Sequence, residues 1–403
     1  VNCEKAANPK LADKPVVVGK ERGVATAPCY QAKRAGIERG TMINEVKNIC
    51  PEAVTLKGNY SRYKIYSQRM YDIFNEYGDI VEEYSIDESF IGMAGIPTYS
   101  SYKKLAEEIQ QEVKRKLSIP VSIGIAPSKT LAKIASDWNK PRGICQIKEN
   151  KIDKFLENFP LDELWGIASN LKEKLNKYGI QTALELKQAR KTKIAENFSI
   201  NILRTYQELK GKYVIPLKEG YIAKHKSKGS SKTFSPPTKD KNKLFSYLSR
   251  NIEKACKRLR KFNFISKEMS IFIKRNDYEG GYSKYKRSIE LDIASVHPSY
   301  IIPRIKDTFA KIFRPNKEYR ATGCYFYNLR QATPAQLGLL DNYLEQQEKA
   351  KVYEAVDEIE DKFCNNSIFL ASSLEARDNL ENKQGPKVSK NKRLDIPKMG
   401  KIK

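Results

Sequence analysis

The order of helix and strand patterns across residues 62–138 is the feature that most constrains the fold. Apolar side chains recur there in turn at helical spacing and in β-prone runs. The order is helix, strand, helix, strand, helix, over residues 62–77, 81–93, 101–117, 121–126 and 128–138. Elements that alternate in this way place helices on one face of a sheet. We therefore expect an α+β or α/β layer, with Ser128 as the N-cap of the third helix.

Two adjacent acids, Asp87 and Glu88, lie within the β-prone run "VEEYSIDESFIGM" (81–93). A hard cation such as Mg²⁺ is bound by one or two carboxylates together with substrate phosphates. We therefore interpret the pair as the metal ligands of a phosphoryl-transfer site. On spacing alone, the alternative that both acids are merely solvated at a sheet edge stays open. Because neighbouring strand residues point to opposite faces, a shared site requires a twist, a bulge or a strand end here.

Composition points to a polyanionic partner. The chain has 74 Lys and Arg against 48 Asp and Glu, a formal net charge of +26. Such a field attracts nucleic acid. No segment has the run of about 18 apolar residues that a membrane span needs, so we expect an intracellular protein with no membrane partner. The seven scattered cysteines are interpreted as reduced thiols, and the two histidines are too few for a His-based site.

The rest of the chain divides by pattern into further segments. Residues 151–210 have the pattern of several short helices, which indicates a small helical domain. Residues 211–235 are rich in Lys, Gly, Ser and Pro, and they predict either a tether or the exposed first strand of the next unit. A second α+β domain follows, with a helix over 241–261. After Arg330 the chain becomes polar and helical, and it ends in a Lys-rich tail.

Segments that match four parts of the fold, in the family's order, resemble the Y-family, or translesion, DNA polymerases, most closely the UmuC-like branch. "YSIDESF" and "IPVSIGIAPSKTLAKIASDWNKPRGI" (119–144) resemble the palm of that family, and "KPVVVGKERGVATAPCYQAKRAGIERG" (14–40) resembles the fingers. "LDELWGIASNLKEKLNKYGIQTALEL" resembles the thumb, and "RATGCYFYNL" resembles the last strand of the little finger. The resemblance covers roughly residues 1–375.

The resemblance implies a multi-domain α+β protein with the right-hand polymerase fold. Its parts would be a ferredoxin-like palm (1–13 and 61–148), small fingers (14–60), a helical thumb (149–212), a linker (213–224), an α+β little finger (225–330) and a C-terminal extension (331–403). The thumb would contain a helix-hairpin-helix, in which Ala168 stands where the family has the second glycine. Phosphate binding by this hairpin is therefore less secure than in the family.

The resemblance also implies roles for individual residues. Asp87 and Glu88 match the catalytic acids of the family and would bind two Mg²⁺ ions. Tyr30, Lys33 and Lys140 match residues that contact the incoming nucleoside triphosphate. Two further lysines of the palm motif, at positions 129 and 133, are candidate DNA or phosphate contacts.

The family opens with a strand that carries an additional metal-binding Asp, and the sequence here begins at the segment after that strand. We expect an N-terminally truncated fragment that binds its metals poorly.

Two surfaces are predicted to bind partners. "AQLGLLD" (335–341) resembles a clamp-binding peptide, in which Gln336, Leu337, Leu339 and Leu340 would contact the bacterial sliding clamp. A basic helix and two basic strands would give the little finger a cationic surface for the DNA backbone. The helix contributes Lys254, Lys257, Arg258, Arg260 and Lys261.

The function expected from these features is template-directed DNA synthesis of the low-fidelity, lesion-bypass class, within SOS-type damage tolerance in the nucleoid-associated cytoplasm. Partners would be primer–template DNA, deoxynucleoside triphosphates and the sliding clamp. The branch resemblance adds a UmuD-like accessory subunit and a recombinase filament. The main alternative is a catalytically inactive family member that acts as a clamp-bound adaptor. A nucleotide cyclase on a similar palm is disfavoured by the thumb and the DNA-binding domain.

Overall fold

A computed structural model describes residues 1–93, 102–218, 227–276, 282–332, 343–363 and 367–376. These residues form two compact units, the first including those up to 218 and the second those from 227 onwards. No helix in these ranges is long and apolar enough to cross a membrane.

The predicted fingers form a small layer around one buried strand. After α1 (Asn2–Ala7), which lies in the first predicted palm segment, the elements of the fingers are β1 (Val16–Val18), β2 (Ala27–Pro28), α2 (Tyr30–Arg34), α3 (Ile43–Ile49) and β3 (Val54–Leu56). The central strand β1 pairs antiparallel with β2 and parallel with β3. All three valines of β1 are buried, as expected for β-branched residues in a strand covered on both faces. This core fixes the start of α2, where Tyr30 lies.

The predicted palm contains α4 (Tyr60–Phe74), β4 (Ile80–Ser85), β5 (Glu88–Gly92), α5 (Tyr102–Leu117), β6 (Ile123–Ile125), α6 (Lys129–Trp138) and β7 (Ile144–Gln146). The three predicted helices and the strand over 121–126 are confirmed in order, and Ser128 is the N-cap of α6. The single strand predicted over 81–93 is wrong, because the chain turns at Ile86 and Asp87 and folds back as the hairpin β4–β5. Within the described residues the palm strands form two ladders, an antiparallel hairpin β4–β5 and a parallel pair β6–β7. A Cβ on Gly124 would lie 2.0 Å from the carbonyl oxygen of Ala132, so glycine lets β6 pack directly on α6.

The predicted thumb is helical, as its pattern indicated. It contains α7 (Ile152–Leu156), α8 (Ser169–Lys177), α9 (Ala183–Gln188), α10 (Lys191–Asn197) and α11 (Ile200–Leu209). Gly166, in the turn before α8, has φ +87°, which glycine adopts without strain. Ala168 has φ −92° and ψ 171°, an extended conformation open to any residue. The departure from the second glycine is thus compatible with the hairpin, whose DNA contact stays a prediction.

The second unit is a four-stranded antiparallel sheet with helices packed against it. Its elements are β8 (Ser227–Thr238), α12 (Lys241–Lys261), β9 (Phe264–Ile265), β10 (Glu268–Asn276), β11 (Tyr282–Glu290), α13 (Pro298–Arg304), α14 (Lys306–Ile312), β12 (Tyr319–Tyr327) and β13 (Arg330–Gln331). The main sheet has the order β11-β10-β12-β8. The predicted α12 is confirmed at both ends. Helices α13 and α14 meet at Ile305, two residues after Pro303, which lacks a main-chain donor.

The C-terminal extension packs on α12 and changes the interpretation of its cations. Helix α15 (Tyr343–Phe363) presents Asp357, which accepts two hydrogen bonds of 2.7 and 2.8 Å from the Arg260 guanidinium. Lys257 donates to Glu360 at 2.8 Å. Lys257 and Arg260 are therefore neutralised within the unit, and the prediction that they form an open DNA-binding face is wrong. A helix about 100 residues further along the chain supplies the acids.

Lys254 of α12 yields a prediction about stability. Burial, followed by repulsion from Arg250, Lys232 and Arg258, lowers the pKa of Lys254 to about 8. The folded protein thus releases this proton near pH 8, whereas the unfolded chain holds it to about pH 10.4, so stability should rise with pH across that interval. We expect Lys254→Met to raise the free energy of unfolding at pH 7 by about 1–2 kcal/mol and to remove this rise.

Urea denaturation at pH 7 and at pH 9.5 would measure both effects. Lys261→Met, at the exposed end of α12, is the matched control and should change neither. A Lys254→Met protein that keeps the wild-type pH dependence would contradict the prediction.

Candidate active site

The two predicted catalytic acids lie at the turn of the hairpin β4–β5. Ile86 and Asp87 form the turn, and Glu88 is the first residue of β5. The ladder shifts register between Glu83 and Ser85, so both a strand end and an irregularity occur where a shared site requires them. The Ser85 hydroxyl donates to the Asp87 carboxylate at 2.6 Å, and the Asp87 N–H donates back to that hydroxyl at 3.3 Å. The Asp87 carboxylate is thereby oriented while it stays exposed.

A row of alternating charges links Glu88 to Lys140. Glu88 forms an ion pair with Lys133 on α6. Lys133 also lies 3.6 Å from the carboxylate of Asp137, which in turn pairs with Lys140. Burial acts to lower the pKa of Lys133, but the hydrogen bond with Glu88 and the charge of Asp137 outweigh it and raise the pKa. The structure thus brings one predicted metal ligand and one predicted phosphate-binding lysine into a single network.

The predicted triphosphate contacts of the fingers lie on α2. Tyr30 is its first residue and is 41% exposed, and the Lys33 ammonium lies 5.5 Å from the centre of the Tyr30 ring. The exposed Lys33 ammonium and the Tyr30 ring therefore form one surface at the start of α2.

The two predicted metal ligands suit an ion whose remaining ligands come from the substrate. In the part of the chain that the structure describes, no group of three or more His, Cys, Asp or Glu side chains is arranged to hold a metal. Asp87 and Glu88 supply two carboxylates, the number that Mg²⁺ commonly takes from a protein when phosphates and water fill its remaining positions. The arrangement suits a substrate-completed ion and does not form an all-protein cage.

The sequence prediction for the other palm lysines is partly wrong. Lys129 is 5% exposed, and its ammonium donates to Glu82 at 2.7 Å, so it is not available for DNA or phosphate. Glu82 and Glu208, both buried, were not recognised from the sequence. Their partners lie on distant segments, and local spacing carried no signal for either.

The sheet of the second unit carries a face of cations on aromatic rings. The Lys284 ammonium lies 4.4 Å from the centre of the Phe272 ring and 5.7 Å from that of Tyr325. Lys286 lies 5.0 Å from the Tyr327 ring and donates to its hydroxyl at 2.9 Å. Burial, followed by repulsion from neighbouring lysines, lowers the pKa of Lys284. Both lysines are exposed, and such a surface suits a nucleic acid backbone.

Models of one protein family match the chain in two segments, one in each compact unit. Residues 1–137 match the impB/mucB/samB family, and residues 225–339 match the C-terminal domain of the impB/mucB/samB family. DNA polymerase IV 1 of Bacillus subtilis (strain 168) is 33% identical over 281 residues, which are 69% of this chain and 68% of that protein. The chain belongs to the Y-family of translesion DNA polymerases. The predictions of family and of enzyme class are confirmed.

Two further relatives extend over most of the chain. DNA polymerase IV of Bacillus velezensis is 29% identical over 91% of this chain and 89% of its own length. Protein ImpB of Salmonella typhimurium is 29% identical over 89% of this chain and 87% of its own length. The relatives thus include proteins named DNA polymerase IV and a protein named ImpB. Membership of the UmuC-like branch stays a prediction.

Solved structures show the same fold. A Y-family DNA polymerase chimera of Dbh and Dpo4 superposes with a TM-score of 0.68 at 24% identity, over 82% of this chain and 96% of that one. A Dbh ternary complex gives a TM-score of 0.53 over the same shares, also at 24% identity. The predicted right-hand polymerase fold is confirmed. The predicted clamp-binding residues Gln336, Leu337, Leu339 and Leu340 lie outside the described residues.

Proposed function

We propose that this Y-family member extends primers on damaged templates and that Asp87 and Glu88 hold two Mg²⁺ ions at the hairpin turn. The observation that carries the proposal is the row of charges that runs from Glu88 through Lys133 and Asp137 to Lys140. When bound, divalent ions would supply the positive charge that stabilises the attacking and leaving oxygens of nucleotidyl transfer.

The side chains of this chain would bind and orient the triphosphate. Lys33 and Lys140 would place cations against its phosphates, where they offset negative charge on the departing pyrophosphate. The exposed Tyr30 hydroxyl would donate a hydrogen bond to the same group. Lys33 is a point charge that donates to single oxygens, so it orients phosphate less strictly than an arginine would.

Primer extension is the direct test of this function. The protein, with any residues that its reading frame encodes before Val1, is incubated with Mg²⁺, a labelled primer on an intact or an abasic template, and each deoxynucleotide singly. Incorporation of the templated nucleotide, continuing past the abasic site, is expected. Tight DNA binding without incorporation would favour the adaptor alternative.

Lys140→Ala should weaken nucleotide binding more than it slows chemistry. Removal of one cation from the phosphates is expected to raise the KM for the incoming nucleotide about 10-fold, with a smaller change in kcat, because one charge-assisted contact is worth about 1.5–3 kcal/mol. Single-nucleotide incorporation kinetics would measure this. Lys151→Ala, a nearby exposed lysine outside the network, is the control. An unchanged KM in Lys140→Ala would remove this residue from the site.

The lysines on the sheet of the second unit are proposed to contact the DNA backbone. Replacing Lys284 and Lys286 together by alanine should weaken DNA binding and reduce the slope of log affinity against log salt by about 1.5–2. Fluorescence anisotropy with one duplex at several salt concentrations measures both. Lys239→Ala removes a 60% exposed lysine of the same unit and should leave the slope nearly unchanged. Equal effects in the two proteins would contradict a specific surface.

The remaining partners are proposed from sequence resemblance. Gln336, Leu337, Leu339 and Leu340 would bind the sliding clamp. The peptide follows β13 and precedes α15, which both belong to the second unit. A UmuD-like subunit and a recombinase filament would act with the enzyme in SOS-type damage tolerance.

A further inference from the structure

Helix α6 contacts the hairpin β4–β5 through two lysines one helical turn apart. Lys133 pairs with Glu88 at the start of β5, and Lys129 pairs with Glu82 in β4. Residues four apart lie on the same helix face, so both contacts form on one side of α6. The two contacts differ in burial. The side chains of Lys133 and Glu88 are 25% and 33% exposed, whereas those of Lys129 and Glu82 are each 5% exposed.

The buried pair is a three-way junction. The Lys129 ammonium and the main-chain N–H of Lys218 both donate to the same oxygen of Glu82, at 2.7 and 2.9 Å. Lys218 lies in the segment that follows the thumb. Charges out of water interact strongly, and removal of one partner leaves an uncompensated charge. Glu82 thus holds α6 and the segment after the thumb against β4.

Aromatic rings close this junction. Phe90 stands directly opposite Glu82 in the ladder. The Lys129 ammonium lies 4.8 Å from the centre of the Phe90 ring and 5.7 Å from that of Trp165, which belongs to the thumb. The Trp165 indole N–H donates to the Tyr84 hydroxyl at 2.6 Å. The thumb therefore contributes a ring that covers the ion pair and is itself tied to β4.

We propose that Lys129, Glu82 and Trp165 form a positioning unit that fixes the hairpin, and with it Asp87 and Glu88, relative to Lys140. A two-stranded hairpin is marginal by itself, so its position depends on what it packs against. The Lys133–Glu88 contact cannot maintain that position alone, because Glu88 would have to leave Lys133 in order to bind a metal ion. The buried pair uses neither catalytic acid and can persist through the reaction. This inference rests on the proposed function of the acids.

Three variants of the full chain separate positioning from folding. Lys129→Met removes the cation. The double variant Glu82→Gln, Lys129→Met removes both charges but keeps an acceptor for the Lys218 N–H, so it should recover folding stability, because no charge is left buried alone. Arg115→Met removes a surface cation of α5 from its pair with Glu112 and serves as the control.

Two measurements are made at a temperature where every variant is folded. Hydrogen exchange reports the opening of residues 80–92 and 213–218, and single-nucleotide incorporation reports kcat and KM. A misplacement of about 1 Å costs about 100-fold in rate, so Lys129→Met should lose about that much in kcat. Its KM for the nucleotide should change less than about threefold, because Lys140 and α2 are intact. Exchange of the hairpin should accelerate in parallel.

The double variant decides between the two roles. If Lys129 and Glu82 position the hairpin, hydrogen exchange of the hairpin stays fast in the double variant. The kcat of this variant also stays low, although its folding stability has returned. If kcat and exchange return to wild-type values with stability, the pair only stabilises the fold and the inference is overturned. A wild-type protein that incorporates no nucleotide would refute the proposed function instead, and the exchange measurement would still test whether the pair holds the hairpin.

Discussion

Asp87→Asn is expected to abolish primer extension, with a fall in kcat of about 1,000-fold or more, which corresponds to about 4 kcal/mol of lost transition-state stabilisation. Asn is nearly the same size as Asp, and its side-chain oxygen can still accept the 2.6 Å hydrogen bond from Ser85. The turn should therefore keep its shape. What is lost is the negative charge that binds a divalent cation.

A matched variant on the same hairpin makes this result specific. Glu83 is exposed in β4 and lies in the stretch where the register shifts. Glu83→Gln removes one negative charge from the hairpin and should retain most of the wild-type kcat. Primer–template affinity, measured by anisotropy without nucleotide, should be nearly equal in the two variants and the wild type. Extension by Asp87→Asn at a rate close to that of Glu83→Gln would show that Asp87 is not a catalytic acid.

The sequence predicted elements whose signals are local. The helix over 241–261 was correct at both ends, since its apolar face repeats along one continuous segment and Asp240 caps its first turn. The acid pair at residues 87 and 88 could be singled out because the motif is contiguous, and its catalytic role stays a prediction. The sequence did not predict which side chains are buried by contacts with distant segments. In "VEEYSIDE" two glutamates are adjacent, and strand alternation implies opposite faces without saying which face is covered. The structure buries Glu82 and exposes Glu83.

The cations of α12 illustrate the same limit. The sequence correctly indicated a basic helix but could not show that α15 would cover it. Lys257 and Arg260 meet acids about 100 residues away, and only tertiary packing brings them together. Long-range ion pairs of this kind leave no periodic pattern in either segment, so an open cationic face and a neutralised one have the same local sequence.

Glu208→Ala should cause a large loss of stability in the first unit. Glu208 is fully buried at the end of α11. One carboxylate oxygen accepts hydrogen bonds of 2.8 and 2.9 Å from the main-chain N–H and the hydroxyl of Thr130 in the first turn of α6. The other accepts from the main-chain N–H of Ile215, at 2.9 Å, and of Val214, at 3.3 Å. Alanine would leave several buried donors without an acceptor, and we expect a loss of about 3 kcal/mol or more.

Urea denaturation followed by tryptophan fluorescence would measure this loss, because both tryptophans, Trp138 and Trp165, belong to the first unit. Glu208→Gln keeps one acceptor oxygen and should lose roughly half as much. Glu196→Ala, at an exposed position of α10, should stay within about 0.5 kcal/mol of the wild type. A Glu208→Ala protein as stable as that control would mean that water satisfies the donors.

Glu208→Ala should lower the polymerase activity of the folded protein as well as its stability. The Glu208 carboxylate holds the N-terminal turn of α6, where the helix dipole favours a negative charge, and the Ser128 hydroxyl donates to the Glu208 main-chain carbonyl at 2.9 Å. The same helix carries Lys129 and Lys133, which contact the hairpin β4–β5. A loosened α6 would therefore shift the hairpin as well. Folded Glu208→Ala protein should lose kcat while its DNA affinity, to which we propose that Lys284 and Lys286 of the second unit contribute, stays close to that of the wild type.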